Sequence, residues 1–200
     1  MKRLLITAAL AWASVTYVSA AAAPVVYNDE SAFRAAAGVT TTYGFERHAV
    51  AENVDLASPL VAGQLDNHFD LAYTNLNAFQ IVDNGAAPGV TEGTHYLFTH
   101  SAAGLANYTL TFSNFGGSGA SITAFGLAIT DFASNLTAND PPVSIAYSAD
   151  GLSGTLLAVA GGQPDFTHNF VGLIVDGADA FGSITLTLND NLSGFQDFDE

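Results

Sequence analysis

Ser183-Ile184-Thr185-Leu186-Thr187-Leu188-Asn189 carries an apolar side chain at every second position and a small polar one between. An extended chain turns successive side chains to opposite faces, so this period of two reads as a half-buried strand with one wet face. The pattern recurs where Tyr108, Leu110 and Phe112 alternate with Thr109, Thr111 and Ser113. It recurs again at Phe125, Leu127 and Ile129, and at Val143, Ile145 and Tyr147. Thr41, Tyr43 and Phe45 read as one face of a first strand. The stretch 171–175 is nearly all apolar and reads as a strand running through the middle of a sheet.

Turn chemistry separates these runs: Asp83-Asn84-Gly85, Gly116-Gly117-Ser118-Gly119, Asp140-Pro141-Pro142, Asp150-Gly151, Gly161-Gly162 and the segment 189–194. About nine or ten strands at this spacing predict an all-β fold, a two-sheet antiparallel sandwich of jelly-roll-like form. One short helix is expected ahead of it. Asn28-Asp29-Glu30-Ser31 supplies capping side chains, Ala32-Phe33-Arg34-Ala35-Ala36-Ala37 continues, and Gly38 stands where the chain turns left-handed. Residues 47–63 are the least regular and read as a long loop.

The first twenty residues read as a secretory signal peptide, not as part of the fold. Lys2 and Arg3 make a basic start, residues 4–18 carry no charge, and Val18-Ser19-Ala20 supplies small residues at the cleavage positions. That run is shorter than the ~18 residues of a spanning helix. The reading divides the chain into a signal peptide, 1–20, and a single β-sandwich domain, 21–200, that is secreted, whether extracellular or periplasmic. Losing Lys2 and Arg3 takes the formal charge from −15 to −17, with Arg34 and Arg47 the remaining basic residues. Such a surface repels phosphate backbones and anionic membranes, so neither nucleic acid nor a membrane is an expected partner after cleavage. It attracts cations, and calcium is the abundant hard cation outside the cell. There is no cysteine. The domain must therefore hold itself together by burial, and ~180 residues suffice for one sizeable core.

Several segments together resemble the extracellular jelly-roll domains of bacterial exported proteins of the PEP-CTERM type. They are the short helix around Ser31-Ala32-Phe33 leading to Phe45-Glu46, the strand Ala124-Phe125-Gly126-Leu127-Ala128-Ile129, and Phe170-Val171-Gly172-Leu173-Ile174 followed by Ile184-Thr185-Leu186-Thr187. An Asp-containing Gly-Phe segment closes the likeness, which spans roughly residues 31–199 as diffuse strand patterns. The Pro-Glu-Pro motif, apolar helix and basic tail usual in such proteins are not among these residues. Phe198 separates Asp197 from Asp199 where an Asp-Asp pair is common. The resemblance implies a structural or binding role and carries over no catalytic residues.

Signatures of catalysis are missing from the sequence. It has no Gly-x-Ser-x-Gly, no His-Glu-x-x-His, no phosphate-cradling glycine loop with its lysine, and no cysteine nucleophile. His95 and His100 are five apart on an evident strand, so they lie on opposite faces. Asp66, His68 and Asp70 would share a face if that stretch is extended, as a metal or acid–base patch or simply as solvated edge residues. Glycosidase chemistry needs two carboxylates about 5 to 10 Å apart, and nineteen acidic residues do not single out a pair. The one tryptophan, Trp12, lies in the leader, which weakens a sugar-binding platform. Tyr73, Phe79 and Phe115 stand beside asparagines or turns and are the aromatics expected at the surface. Asn189 to Glu200 can be laid on a twelve-position calcium loop, but a polar hairpin turn accounts for it better.

These observations predict a secreted, non-catalytic binding, adhesion or surface-matrix module, associated with extracellular polysaccharide or another matrix component. The alternative is an extracellular polysaccharide-active hydrolase or lyase on the same sandwich. No catalytic residue is assigned. A structural calcium ion is expected at Glu46, Asp197 and Asp199, on the argument that first and last strands are sheet neighbours in a jelly roll.

Overall fold

The computed structural model describes residues 22–38, 40–45, 56–83, 95–101, 107–130, 132, 142–159, 167–189 and 195–199. Among these, eleven strands form two antiparallel sheets, with one α-helix near the start. The first sheet contains β1 (Val25–Tyr27), β3 (Leu76–Asp83), β4 (His95–Ser101), β6 (Ala124–Thr130), β9 (His168–Ile174) and β11 (Phe195–Asp199), in the order β1-β9-β6-β11-β4-β3. The second contains β2 (Asp70–Thr74), β5 (Asn107–Ser113), β7 (Val143–Ala149), β8 (Leu152–Val159) and β10 (Ser183–Asn189), in the order β2-β5-β10-β7-β8. From β4 onward the chain crosses to the other sheet at every connection except the β7–β8 hairpin. That gives the sandwich its jelly-roll-like character.

The strand reading holds in detail. In β10 the three apolar residues Ile184, Leu186 and Leu188 are fully buried, while Thr185 and Thr187 are only half-buried. β10 pairs β5 on one side and β7 on the other, which sets Leu186 beside Leu110 and Tyr147 in one apolar row. Thr111 and Thr185 meet on the opposite face through a 2.9 Å hydroxyl bond. β9 lies between β1 and β6, as its apolar run predicts, and buries Val171 and Leu173. Leu127 and Ile129 of β6 join them, so the inner faces of both sheets close on one core. Asp150 (φ 41°) and Gly151 (φ 95°) make the two-residue turn between β7 and β8. Positive φ at both central positions gives the hairpin the twist its strands need.

Helix α1 (Glu30–Ala37) also forms as expected. The Asp29 carboxylate accepts from the Ala32 N–H at 2.7 Å, and Gly38 (φ 78°) donates its N–H to Arg34 O at 3.1 Å. Its one buried side chain, Phe33, lies flat over β6 and β9, where the register sets Gly126 directly opposite Gly172. Any side chain at either glycine would occupy the space of that ring. Phe170 and Tyr27 flank Phe33, with ring centroids 5.3 and 5.9 Å away.

Two sequence expectations need correcting. Residues 40–45 form no strand, and Phe45 takes a left-handed backbone (φ 61°) that ends the extended run. Tyr43 and Phe45 are nevertheless buried, because their rings pack on each other and Tyr43 on Phe69, within the main core cluster. The first and last strands are not neighbours either: β9 and β6 stand between β1 and β11. Among the described residues no helix is long and apolar enough to cross a membrane.

The glycine pair beneath Phe33 yields a stability prediction. A Cβ on Gly172 would lie 2.6 Å from Phe33 Cδ2 and 2.9 Å from Phe170 Cε1. Gly172→Ala should therefore lower the free energy of unfolding in urea by about 1–3 kcal/mol through overpacking. Gly177→Ala, with nothing within 4 Å of the added carbon, should stay within about 0.5 kcal/mol.

Candidate functional site: an aromatic cleft under the N-terminal segment

At the end of the sandwich where β2 and β6 begin and β5 finishes, α1 and residues 40–45 enclose a cleft of about 620 Å³. Its size is within the range of small-ligand sites. Phe45, Phe69, Phe112, Phe115 and Phe125 supply much of the wall, and Thr40, Thr41, Thr42, Ser121 and Thr123 the hydroxyls. Alternation explains the aromatic side: Phe112 belongs to the inward row of β5, and Phe125 begins the inward row of β6. The two rings meet with centroids 5.0 Å apart, and Phe69 packs edge-on against Phe112 at 5.4 Å. Phe69 and Phe125 remain only partly buried, so the aromatic surface continues from the core into the cleft.

Tyr43 joins this group from the segment above. Its ring lies 5.0 Å from Phe45, 5.4 Å from Phe69 and 4.8 Å from the His68 imidazole. The residue is 8 % exposed, and its hydroxyl is sealed from solvent with no hydrogen-bond partner among the described residues. Burial, with a further contribution from the Asp66 carboxylate, pushes the phenol far above its ordinary pKa. Tyr43 is thus a neutral hydroxyl, able to donate and accept. The segment carrying it is tied to α1, where Arg34 Nη1 donates to Thr42 Oγ1 at 3.0 Å while Arg34 Nε donates to Glu30.

The structure separates Asp66, His68 and Asp70 instead of aligning them. Asp66 (φ 51°) and Asn67 (φ 60°) have left-handed backbones, so the stretch is a turn and the alternation never forms. Asp70 is occupied: its Oδ1 accepts from the Ala62 N–H and from Asn114 Nδ2 at 3.2 Å. The His68 carbonyl accepts from the Gly116 N–H at 2.8 Å, fastening this turn to the next. Asp66 and His68 line the cleft while Asp70 does not, and among the described lining residues Asp66 is the one carboxylate.

Of the three aromatics expected at the surface, two are buried and Tyr73 is half-buried. Phe79 and Phe115 are buried, and Tyr73 packs on Phe79 with its hydroxyl donating to Leu56 O at 3.0 Å. A turn residue can stand beside a position that faces the core. His95 and His100 do occupy one strand, β4. Of the expected metal ligands, Glu46 lies outside the described residues. Asp197 and Asp199 are on β11, the former opposite Phe98 and Thr130 and the latter opposite Ala128. Among the described residues no group of three or more His, Asp or Glu side chains could hold a metal ion. Of the calcium-loop reading of 189–200, positions 190–194 and 200 lie outside the described residues, while 195–199 form strand β11.

No family model matches this sequence, and neither does any curated protein. Among solved structures, the chain is similar to the enzymatically active domain of tailspike protein 4 from bacteriophage CBA120. The identity is 11% and the TM-score 0.38, over 76% of this chain and 20% of that one. The chain thus spans about a fifth of that protein's chain, and at this similarity the likeness carries no weight for fold or activity.

The cleft itself was not visible in the sequence. Its aromatics come from positions scattered between Phe33 and Phe170, and each fits an ordinary core position on its own. The unsatisfied Tyr43 hydroxyl is the feature that only the tertiary structure exposes. Deleting it should help the unliganded protein: Tyr43→Phe should raise the unfolding free energy by about 1 kcal/mol, because a buried hydroxyl without a partner is a net cost. Tyrosine holds its proton more tightly folded than unfolded, so stability should fall as pH rises above the ordinary value of 10.0. Denaturant melts across that range should show a shallower alkaline loss for Tyr43→Phe.

Proposed function

We propose that this is an exported, non-catalytic binding module of the extracellular matrix or cell surface, associated with polysaccharide. The observation that carries this reading is the cleft, which joins an aromatic wall to a rim of neutral hydroxyls. Aromatic faces accept the C–H face of a sugar ring, and hydroxyl and amide groups read its edges. The basic start, uncharged run and small residues of the first twenty positions support export. The strand likeness to PEP-CTERM-type exported domains supports the same setting. The polysaccharide-active enzyme reading has less behind it. Acid–base hydrolysis of a glycoside uses a pair of carboxylates, whereas Asp66 stands alone among the described lining residues. Tyr43, held neutral, is a poor base. On this reading the protein is retained on one or more insoluble extracellular polysaccharides, and prolonged incubation releases no new reducing ends or unsaturated products. Release that disappears in Asp66→Asn would establish the enzyme instead.

Structural calcium at Glu46, Asp197 and Asp199 is part of the same proposal. It is supported by nineteen acidic residues in the sequence and by two of these aspartates standing two positions apart on β11. An ion that binds only the folded state adds ~2.7 kcal/mol at a hundredfold excess over its dissociation constant. Melting should rise by several degrees in millimolar calcium and fall with chelator, and Glu46→Gln or Asp199→Asn should remove most of the response. A melting temperature indifferent to calcium and chelator ends this part of the reading.

A further inference from the structure

The Tyr43 hydroxyl needs a partner, and its surroundings narrow what that partner is. A buried polar group without a hydrogen bond is rare in a native fold and calls for a cause. The Asp66 carboxylate lines the same cleft. The guanidinium of Arg34, also on the rim, is already engaged by Glu30 and Thr42. With a formal charge of −15 over the whole sequence, the protein repels an anionic guest before it arrives. The remaining polar lining is made of threonine and serine hydroxyls, the Asn67 amide and the His68 imidazole, groups that pair with alcohols.

The covering segment is not held in a sheet. Residues 40–45 make no strand, Thr40, Thr41 and Thr42 are exposed, and Phe45 holds a left-handed backbone uncommon for a bulky side chain. Tyr43 lines the cleft while its hydroxyl is sealed, so a guest reaches that oxygen only with a displacement of this segment. A buried hydroxyl without a partner is a cost that a hydrogen-bonding guest would remove.

We propose that the cleft between α1 and the sandwich takes a neutral, hydroxylated ring, a sugar unit of an uncharged glycan, and that a ligand hydroxyl completes the missing hydrogen bond of Tyr43. The inference rests on the binding-module reading and goes further by naming the site, the charge class of the ligand and a residue that selects it. The aromatic wall of Phe69, Phe112 and Phe125 takes the apolar face of the ring, while Tyr43, Asn67 and the threonines take its edges.

The test is isothermal titration of the full mature protein with cellohexaose, xylohexaose, mannohexaose and oligogalacturonate. At least one neutral oligosaccharide should bind, and oligogalacturonate should bind more weakly. Tyr43→Phe should weaken the neutral ligand about tenfold, the effect of one neutral hydrogen bond, with a melting temperature no lower than that of the parent. This pairing of weaker binding with undiminished stability is not what a packing role for the hydroxyl would give. Thr123→Arg, at an exposed lining position, should block binding, and Thr155→Arg on the outer strand β8 should leave it unchanged. Neutral binding that survives both Tyr43→Phe and Thr123→Arg would overturn the site while leaving the binding module intact. Tighter binding of oligogalacturonate would overturn the ligand class. If no member of the panel binds, the proposal fails together with the reading beneath it.

Discussion

Everything in this fold depends on two sheets closing over one apolar core in a chain with no cysteine to staple it. A domain without disulfides has hydrophobic burial as its principal source of stability. The alternating rows of β5, β7 and β10 supply one inner face, and Leu127, Ile129, Val171 and Leu173 of β6 and β9 the other. Strand register carries the whole arrangement, because a shift of one residue would turn each apolar row outward. The threonines of the opposite face, Thr111 and Thr185 among them, bond to each other across the strands and reinforce the register that the core demands.

Helix α1 is a second layer built on a local vacancy. Gly126 and Gly172 meet across the β6–β9 pair and leave a flat patch on the outer face of the first sheet, and Phe33 fills it. This contact fixes where α1 lies, and α1 in turn fixes where residues 40–45 begin. Arg34 then reaches from the helix to Thr42. One aromatic ring over two glycines thus positions the segment that encloses the cleft, even though Phe33 belongs to the outer face and not to the main core.

At the cleft, packing and polarity are in tension. The rings of Tyr43, Phe45, Phe69 and Phe112 gather as a core would, but the gathering includes a hydroxyl without a partner among the described residues and an imidazole beside it. A purely structural solution would place phenylalanine at Tyr43. The chain instead keeps an oxygen there, next to a carboxylate that makes ionisation of the phenol harder still. Local cost retained against packing is a common mark of a functional surface.

The period of two in Ser183–Asn189 and Asn107–Ser113, the capping chemistry around Asp29 and Gly38, and the Asp150-Gly151 turn were legible because each is a local property of a few consecutive residues. Backbone geometry converts such patterns into strand, helix and hairpin without help from the rest of the chain. The fate of Thr41, Tyr43 and Phe45 was not local: their alternation suited a strand, but among the described residues the segment pairs with none, and Phe45 turns left-handed. Asp66, His68 and Asp70 likewise alternated in sequence, and left-handed backbones at Asp66 and Asn67 broke the row. The sequence by itself determined an acidic, cysteine-free, all-β chain with one capped helix. Only the tertiary structure decided which sheet each strand joined, which aromatics met at the cleft and which hydroxyl was left alone. Those outcomes depend on contacts between residues far apart in the chain, and no short-range pattern encodes them.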